Sequence, residues 1–242
     1  MLFGFVFKKN RHLITSICKK FGYGKKFPDP LLPQIEIGEL ISENYPIKIF
    51  EPVGVNGNIS MIETYVAISL VKQFNPINIF EIGTFNGRTT LNMAYNSSKE
   101  SRVYTLDLPG EEIESTAMPI VNDDKVFIEK ESSGSRIIGQ DPENKILQLY
   151  GDSASFDFTE FRNDMDFVFI DGSHSYEYVL NDSRQAIKLL RNSRGVILWH
   201  DYNNSAWEGV TRALNELYRG DEEFSEIKHI KGTCLACLII SH

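Results

Sequence analysis

Cysteine is scarce in this chain: Cys18, Cys234 and Cys237 are its only three among 242 residues. An odd, sparse set does not build a secreted disulfide framework, and a chain of this length buries a core large enough to need none. The Cys234-x-x-Cys237 spacing invites a zinc or redox reading, but no second pair accompanies it. It lies in the apolar run Cys234 to Ile240, where residues three apart on a strand face opposite ways, so both read as core thiols. Long apolar runs are missing too. The apolar start, Met1 to Phe7, stops at Lys8, too short to span a bilayer, and its charges follow the apolar stretch, the reverse of a signal peptide. With 42% hydrophobic and 24% charged residues the composition is that of a soluble globular protein, and a cytoplasmic one is expected. No repeat or low-complexity tract is present.

Positive charge is short over most of the chain. There are 25 Lys/Arg against 33 Asp/Glu; seven of the bases and no acid fall in residues 1–26, leaving 18 against 33, or −15, for the remainder. An acidic body excludes broad nucleic-acid binding, which draws on many phosphate contacts. The basic head places Leu13, Ile14, Ile17, Cys18 and Phe21 at helical spacing among lysines. Two readings stand: a helix packed on its own domain or on a second subunit, as in a homo-oligomer, or a surface helix in weak contact with anionic lipid at the inner membrane face. Residues 1–58 therefore read as a basic helix and an irregular, proline-rich lead-in, with a short strand at most near Ile47 to Phe50.

From residue 59 onward the pattern changes. Ser60-Met-Ile-Glu63 fits a capping box, and Ile62, Val66, Leu70 and Phe74 recur every fourth residue, predicting a helix over 61–74. Short apolar runs then alternate with helical patterns. Strands are expected at Ile77 to Ile82, Val103 to Leu106, Ile146 to Tyr150, Phe167 to Ile170 and Val196 to Trp199. Helices are expected from about Arg88 to Tyr95, over the stretch with Val179, Leu180, Ala186, Ile187 and Leu190 on one face, and around Val210 to Leu217. Continuously apolar strands suit a parallel sheet covered on both faces, and the alternation implies a doubly wound α/β domain over 59–242. Glu223 to Ile230 and Thr233 to Ser241, joined at Lys231-Gly232, predict a terminal antiparallel hairpin.

The turn Phe80-Glu-Ile-Gly-Thr-Phe-Asn-Gly87 follows the first parallel strand and opens a helix. It lacks the G-x-G-x-x-G of a dinucleotide phosphate cradle; glycines stand only at Gly83 and Gly87. Acids end the later strands: Asp107, Asp152, Asp171 and Asp201. Open α/β sheets bind ligands at those carboxyl ends, and an acid placed as Asp107 is can accept bonds from both hydroxyls of a ribose. Each acid alone could be a helix cap.

These segments, with Tyr104-Thr-Leu-Asp107, Gly151-Asp-Ser153, Phe169-Ile-Asp-Gly-Ser-His-Ser-Tyr176 and Val196-Ile-Leu-Trp-His-Asp-Tyr202, occur in an order that resembles the class I methyltransferases of the macrocin O-methyltransferase-like group over about residues 60–241. The resemblance implies a Rossmann-like fold of seven strands in the order 3-2-1-4-5-7-6. It implies that S-adenosylmethionine is held by Glu81, Gly83, Thr84, Phe85, Asn86 and Gly87 at its methionine end, by Asp107 at the ribose, and by Asp152 and Ser153 at the adenine edge, with Asp171 beside it. On the acceptor side it implies His174 as the base and Asp171 and Asp201 as ligands of a divalent cation such as magnesium. The chain departs from close relatives after the fifth strand, where paired acids are replaced by His200-Asp201; His200 on its own reads as a histidine bonded to backbone at a strand end. Trp199, Trp207, Tyr176 and Tyr202 are candidates to line a pocket for a small hydroxylated acceptor, a natural product or sugar. The long connection Met118 to Asn144 reads as a lid or an oligomer contact. The fold alone also leaves open a different transfer reaction or a non-catalytic partner subunit.

Overall fold

A computed structural model describes residues 27–42, 44–130 and 132–240; the basic head, with Cys18 and the expected amphipathic helix, lies outside the described residues. The strands are β1 (Gln34–Ile35), β2 (Asn78–Ile82), β3 (Arg102–Asp107), β4 (Ile146–Tyr150), β5 (Phe167–Ile170), β6 (Gly195–Trp199), β7 (Lys228–Ile230) and β8 (Ala236–Ile240). They form one sheet in the order β1-β7-β8-β6-β5-β2-β3-β4. All neighbours are parallel except β8, which runs antiparallel to β6 and β7. This is the expected Rossmann-like methyltransferase order with its terminal hairpin, extended by β1 to eight strands.

Alternation along the strands divides the core between two faces. Phe80, Ile82, Val168, Ile170, Ile197 and Trp199 pack on one side, against α5 (Tyr176–Leu189) and α6 (Glu208–Gly220) through Val179, Ala186, Val210 and Leu214. Ile79, Phe167, Phe169, Val196 and Leu198 pack on the other, against α2 (Met61–Phe74) and α3 (Arg88–Asn96) through Val66, Leu70 and Met93. A strand's side chains point alternately to its two faces, so continuous apolar runs are what helices on both sides require. The Ser60–Glu63 capping box is formed, and α2 spans the expected residues. Its buried face is Val66, Ala67, Leu70 and Val71, not the strict four-residue series: Ile62 and Phe74 lie outward, because a 3.6-residue period drifts away from a spacing of four.

The lead-in differs from expectation in two ways. Residues 27–58 do not stand apart from the domain: α1 (Ile37–Leu40) follows β1, and Leu32 and Leu40 enter the two halves of the core. And Ile47 to Phe50 is not a strand. Its backbone is bonded instead by two asparagines one turn apart on α3. The Asn96 amide donates to the Lys48 carbonyl and accepts from the Lys48 N–H; Asn92 does the same for Phe50. A side-chain amide carries one donor and one acceptor face, so each copies the bonds a neighbouring strand would supply. The hairpin is shorter than expected, since residues 222–224 form a turn of 3₁₀ helix before β7. Cys237 is buried and Cys234 half-buried, and neither is in a disulfide. Among the described residues no helix is long and apolar enough to cross a membrane.

Candidate active site

At the carboxyl ends of β2, β3, β4, β5 and β6 lies a cavity of about 1000 Å³. Gly83, Phe85, Asp107, Asp152, Ser153, Asp171, His174 and Asp201 line it. Glu81, Thr84, Asn86 and Gly87 stand behind the turn and do not.

The turn after β2 is shaped by glycine. Gly83 has φ +99°, and a Cβ there would sit 2.0 Å from the Asp171 carbonyl oxygen, so the β2 and β5 ends approach only without a side chain. Gly87 (φ +84°) opens α3, with Ile137 filling the space a Cβ would need. Thr84 bonds the Thr105 hydroxyl at 2.6 Å, and Asn86 bonds Asn58. Glu81 is fully buried and takes bonds from Thr90 and Thr105, while its Oε1 has no partner. Burial dominates there, outweighing the threonine bonds, and pushes its carboxyl up to about 8.

The acids at β3 and β4 are both engaged. Asp107 forms an ion pair with Lys130 at 2.7 Å and accepts a bond from Ser133. Asp152 accepts from the Ala117 and Ala154 N–H groups and from the Tyr178 hydroxyl, at 2.7, 2.9 and 2.7 Å, and beside it the Ser153 side chain bonds Asp182.

At the other end, His174 is held between two carboxylates. Nδ1 lies 2.5 Å from Asp124 and Nε2 lies 2.8 Å from Asp201. Burial alone would lower its pKa, but the bonds from Asp124 and Asp201 raise it to about 9. Asp124 also accepts from the Ser173 hydroxyl and the His174 N–H. The His174 ring stacks on Trp207 at 3.9 Å. Phe127 stands edge-on to Trp207, and Phe85 edge-on to Phe127, so an aromatic wall runs back to the turn after β2. Of the four aromatic candidates only Trp207 faces the cavity. Trp199 and Tyr202 are buried, their polar atoms turned to Ser183 and to the Leu31 and Leu32 N–H groups. Tyr176 is turned to Glu216 and Arg212.

His200 is not bonded to backbone as its strand-end position suggested. Its Nδ1 lies 3.0 Å from both Asp171 and Asp201, and its Nε2 lies 3.4 Å from Glu63. Burial lowers its pKa, yet Asp171 and Asp201 outweigh that and hold it well above the usual imidazole range. Asp201 adopts φ +63° directly after β6, which turns its carboxylate in between the two histidines. Donor atoms of Asp171, His200 and Asp201 all lie within 4.8 Å of one another, and two carboxylates with one imidazole fit a divalent cation.

The long connection lines one side of the cavity through residues between Ile120 and Lys130. Within it α4 (Lys125–Ile128) is flanked by Asp124 on His174 and Lys130 on Asp107, while the Gly134 and Arg136 N–H groups bond the Phe85 and Asn86 carbonyls. Its residues line the site, while an oligomer contact, the other reading of its length, is not tested by a single chain. Asp124 and Lys130 had no signal in the sequence, because an irregular segment carries no periodicity to place them. Glu63 was visible as a cap only; its contacts with His200 and with the Cys234 N–H join positions far apart in the chain.

Three solved structures share the fold: the O-methyltransferase TomG of Streptomyces achromogenes, involved in tomaymycin synthesis and in complex with S-adenosylmethionine (17% identity, 77% of this chain and 83% of that one, TM-score 0.52); the S-adenosylhomocysteine-bound methyltransferase PaMTH1 of Podospora anserina (15%, 77% and 81%, 0.55); and the Bacillus cereus O-methyltransferase with S-adenosylhomocysteine (16%, 77% and 84%, 0.53). No curated protein matches. The model of the methyltransferase domain matches residues 80–202, from the cofactor turn to the end of the His200-Asp201 segment. That match covers just over half of the chain, which belongs to the methyltransferase-domain family and is a class I, S-adenosylmethionine-dependent methyltransferase.

Proposed function

We propose that this enzyme methylates a hydroxyl oxygen of a small, hydroxylated acceptor, a natural product or sugar. One observation carries the reading: a single cavity joins the ribose acid Asp107 to His174 and its aromatic wall. The volume suits a cofactor with a small second molecule, not a macromolecular acceptor. In this reading Gly83 and Phe85 pack the methionine end of the cofactor, Asp107 exchanges Lys130 for the ribose hydroxyls, and Ser153 borders the adenine. Glu81, Thr84, Asn86 and Gly87 hold the turn in shape, and Asp152 holds the wall through Tyr178.

Methyl transfer is an in-line displacement, so the acceptor oxygen must be placed and must lose its proton. Trp207 and Phe127 supply a flat apolar surface against which the acceptor stacks. Asp171 and Asp201 would hold a divalent cation. Such an ion, when bound, lowers the pKa of a hydroxyl and draws off the carboxylate charge that otherwise keeps His174 protonated. His174 Nε2 is the base in this reading, and Asp124 at Nδ1 fixes the ring and stabilises the imidazolium that forms. The test is product mass after incubation with S-adenosylmethionine and a panel of sugars and phenols. A gain of one methyl on oxygen supports the reading; an aminopropyl gain contradicts it.

A further inference from the structure

His200 stands where an oxygen ligand would complete an all-acid cation site, and its surroundings prepare it to ligate. Its Nδ1 is 3.0 Å from Asp171 Oδ1 and 3.0 Å from Asp201 Oδ2. Donors bound at right angles to one ion at about 2.1 Å lie about 3.0 Å apart, so Nδ1 already stands at ligand spacing from each carboxylate, and all three donors fall within 4.8 Å of one another. The far nitrogen, Nε2, faces Glu63 at 3.4 Å. Glu63 is itself fixed: its oxygens accept from the Ser60 N–H at 2.8 Å and the Cys234 N–H at 2.7 Å. In the structure Nδ1 bonds Asp171 and lies against Asp201; a cation in that place would displace the inner proton, while the carboxylate on the outer nitrogen retains the other one, the usual support of a ligating histidine. The ring's three partners, Glu63, Asp171 and Asp201, come from the start of α2, the end of β5 and the end of β6, so the ring is held from three sides.

We infer that His200 is the third protein ligand of the Asp171–Asp201 site, oriented by Glu63, and that the site selects a first-row transition dication over magnesium. The inference deepens the reading above and rests on it for what the ion does. Magnesium favours oxygen donors throughout, whereas one imidazole with two carboxylates follows the rising affinity from manganese to cobalt and nickel.

The experiment loads the full chain with Mn²⁺ and records electron spin-echo modulation from ligating nitrogen, with Mn²⁺ and Mg²⁺ affinities from calorimetry. Wild type is expected to show nitrogen modulation and to favour Mn²⁺. His200→Asp should lose the modulation and cut the preference for Mn²⁺ over Mg²⁺ at least about tenfold. Glu63→Gln should weaken Mn²⁺ about tenfold while the modulation persists at saturation. Three results overturn the inference: no Mn²⁺ binding, bound Mn²⁺ without nitrogen modulation, or modulation unchanged in His200→Asp, which would assign the nitrogen to His174. Binding of S-adenosylhomocysteine in chelator reads the methyltransferase assignment separately, so failure of one is distinguishable from failure of the other.

Discussion

Lys130 and Asp107 form an ion pair at 2.7 Å across the cofactor end of the cavity, both side chains nearly buried. In the proposed reading Asp107 takes the ribose hydroxyls, so Lys130 would hold that position until the cofactor displaced it. Removing the lysine removes the competitor and leaves a charge the ribose hydroxyls can satisfy. Lys130→Ala should therefore tighten S-adenosylhomocysteine about fivefold, close to 1 kcal/mol. The cationic S-adenosylmethionine should gain more, because the cavity also loses a positive charge. Titration calorimetry reads both; weaker binding of either would refute the competition.

The histidine between Asp124 and Asp201 makes a separate prediction. His174→Asn should lower kcat by about 10² to 10⁴, the range for loss of a positioned base, with cofactor affinity within about twofold of wild type. Asp124→Asn should lower kcat less, because the ring stays in place against Trp207. Steady-state kinetics alongside calorimetry separates the two effects. An active His174→Asn enzyme would remove the histidine from the chemistry.

Stability should fall as pH rises through neutrality. Glu81 and Asp182 are buried carboxyls with folded-state pKa values pushed up to about 8 and about 7. His174 is raised to about 9. In each case the folded protein binds a proton more tightly than the unfolded chain, so folding is favoured at low pH and that advantage is lost as pH climbs through the folded value. For the carboxyls the decline runs from about 4 to about 8. The cofactor-free protein should melt several degrees lower at pH 8.5 than at pH 6. Glu81→Gln should flatten the curve by staying neutral throughout. A melting temperature that rises over this range would contradict the assignment.

The asparagine pair on α3 is testable by folding alone. Asn92→Ala removes two bonds to the Phe50 backbone and one to Arg88. At about 1 kcal/mol each, with buried groups left unpaired, the loss is about 2–3 kcal/mol. Denaturant unfolding measures it, and proteolysis near residue 50 should accelerate. Unchanged stability would mean that the side-chain pairing contributes nothing.

The central parallel strands were legible in the sequence because they are short, apolar and punctuated, and β3, β4, β5 and β6 each lead into an acid. Val196 to Trp199 and Phe167 to Ile170 could not be read otherwise, and their register brought Asp171 and Asp201 together. β1 was not legible: two residues carry no period, and Gln34–Ile35 joins the sheet only because β7 offers an edge. The backbone at Lys48 and Phe50 did read as a strand, but its partners are amides on a helix, which no alternation reveals. Within the site, the residues in motifs were found and those in the long connection were not. His200 was recognised as a departure, yet its role depends on Glu63, 137 positions earlier, which only the fold brings near it.

Cofactor binding through Asp107 is the central claim, and titration of the purified chain with S-adenosylhomocysteine tests it most directly. Wild type should bind with a micromolar Kd, in chelator as well as without, and Asp107→Ala should lose measurable binding while keeping a cooperative melt. No heat of binding by wild type, or equal affinity in the folded Asp107→Ala variant, would contradict the account.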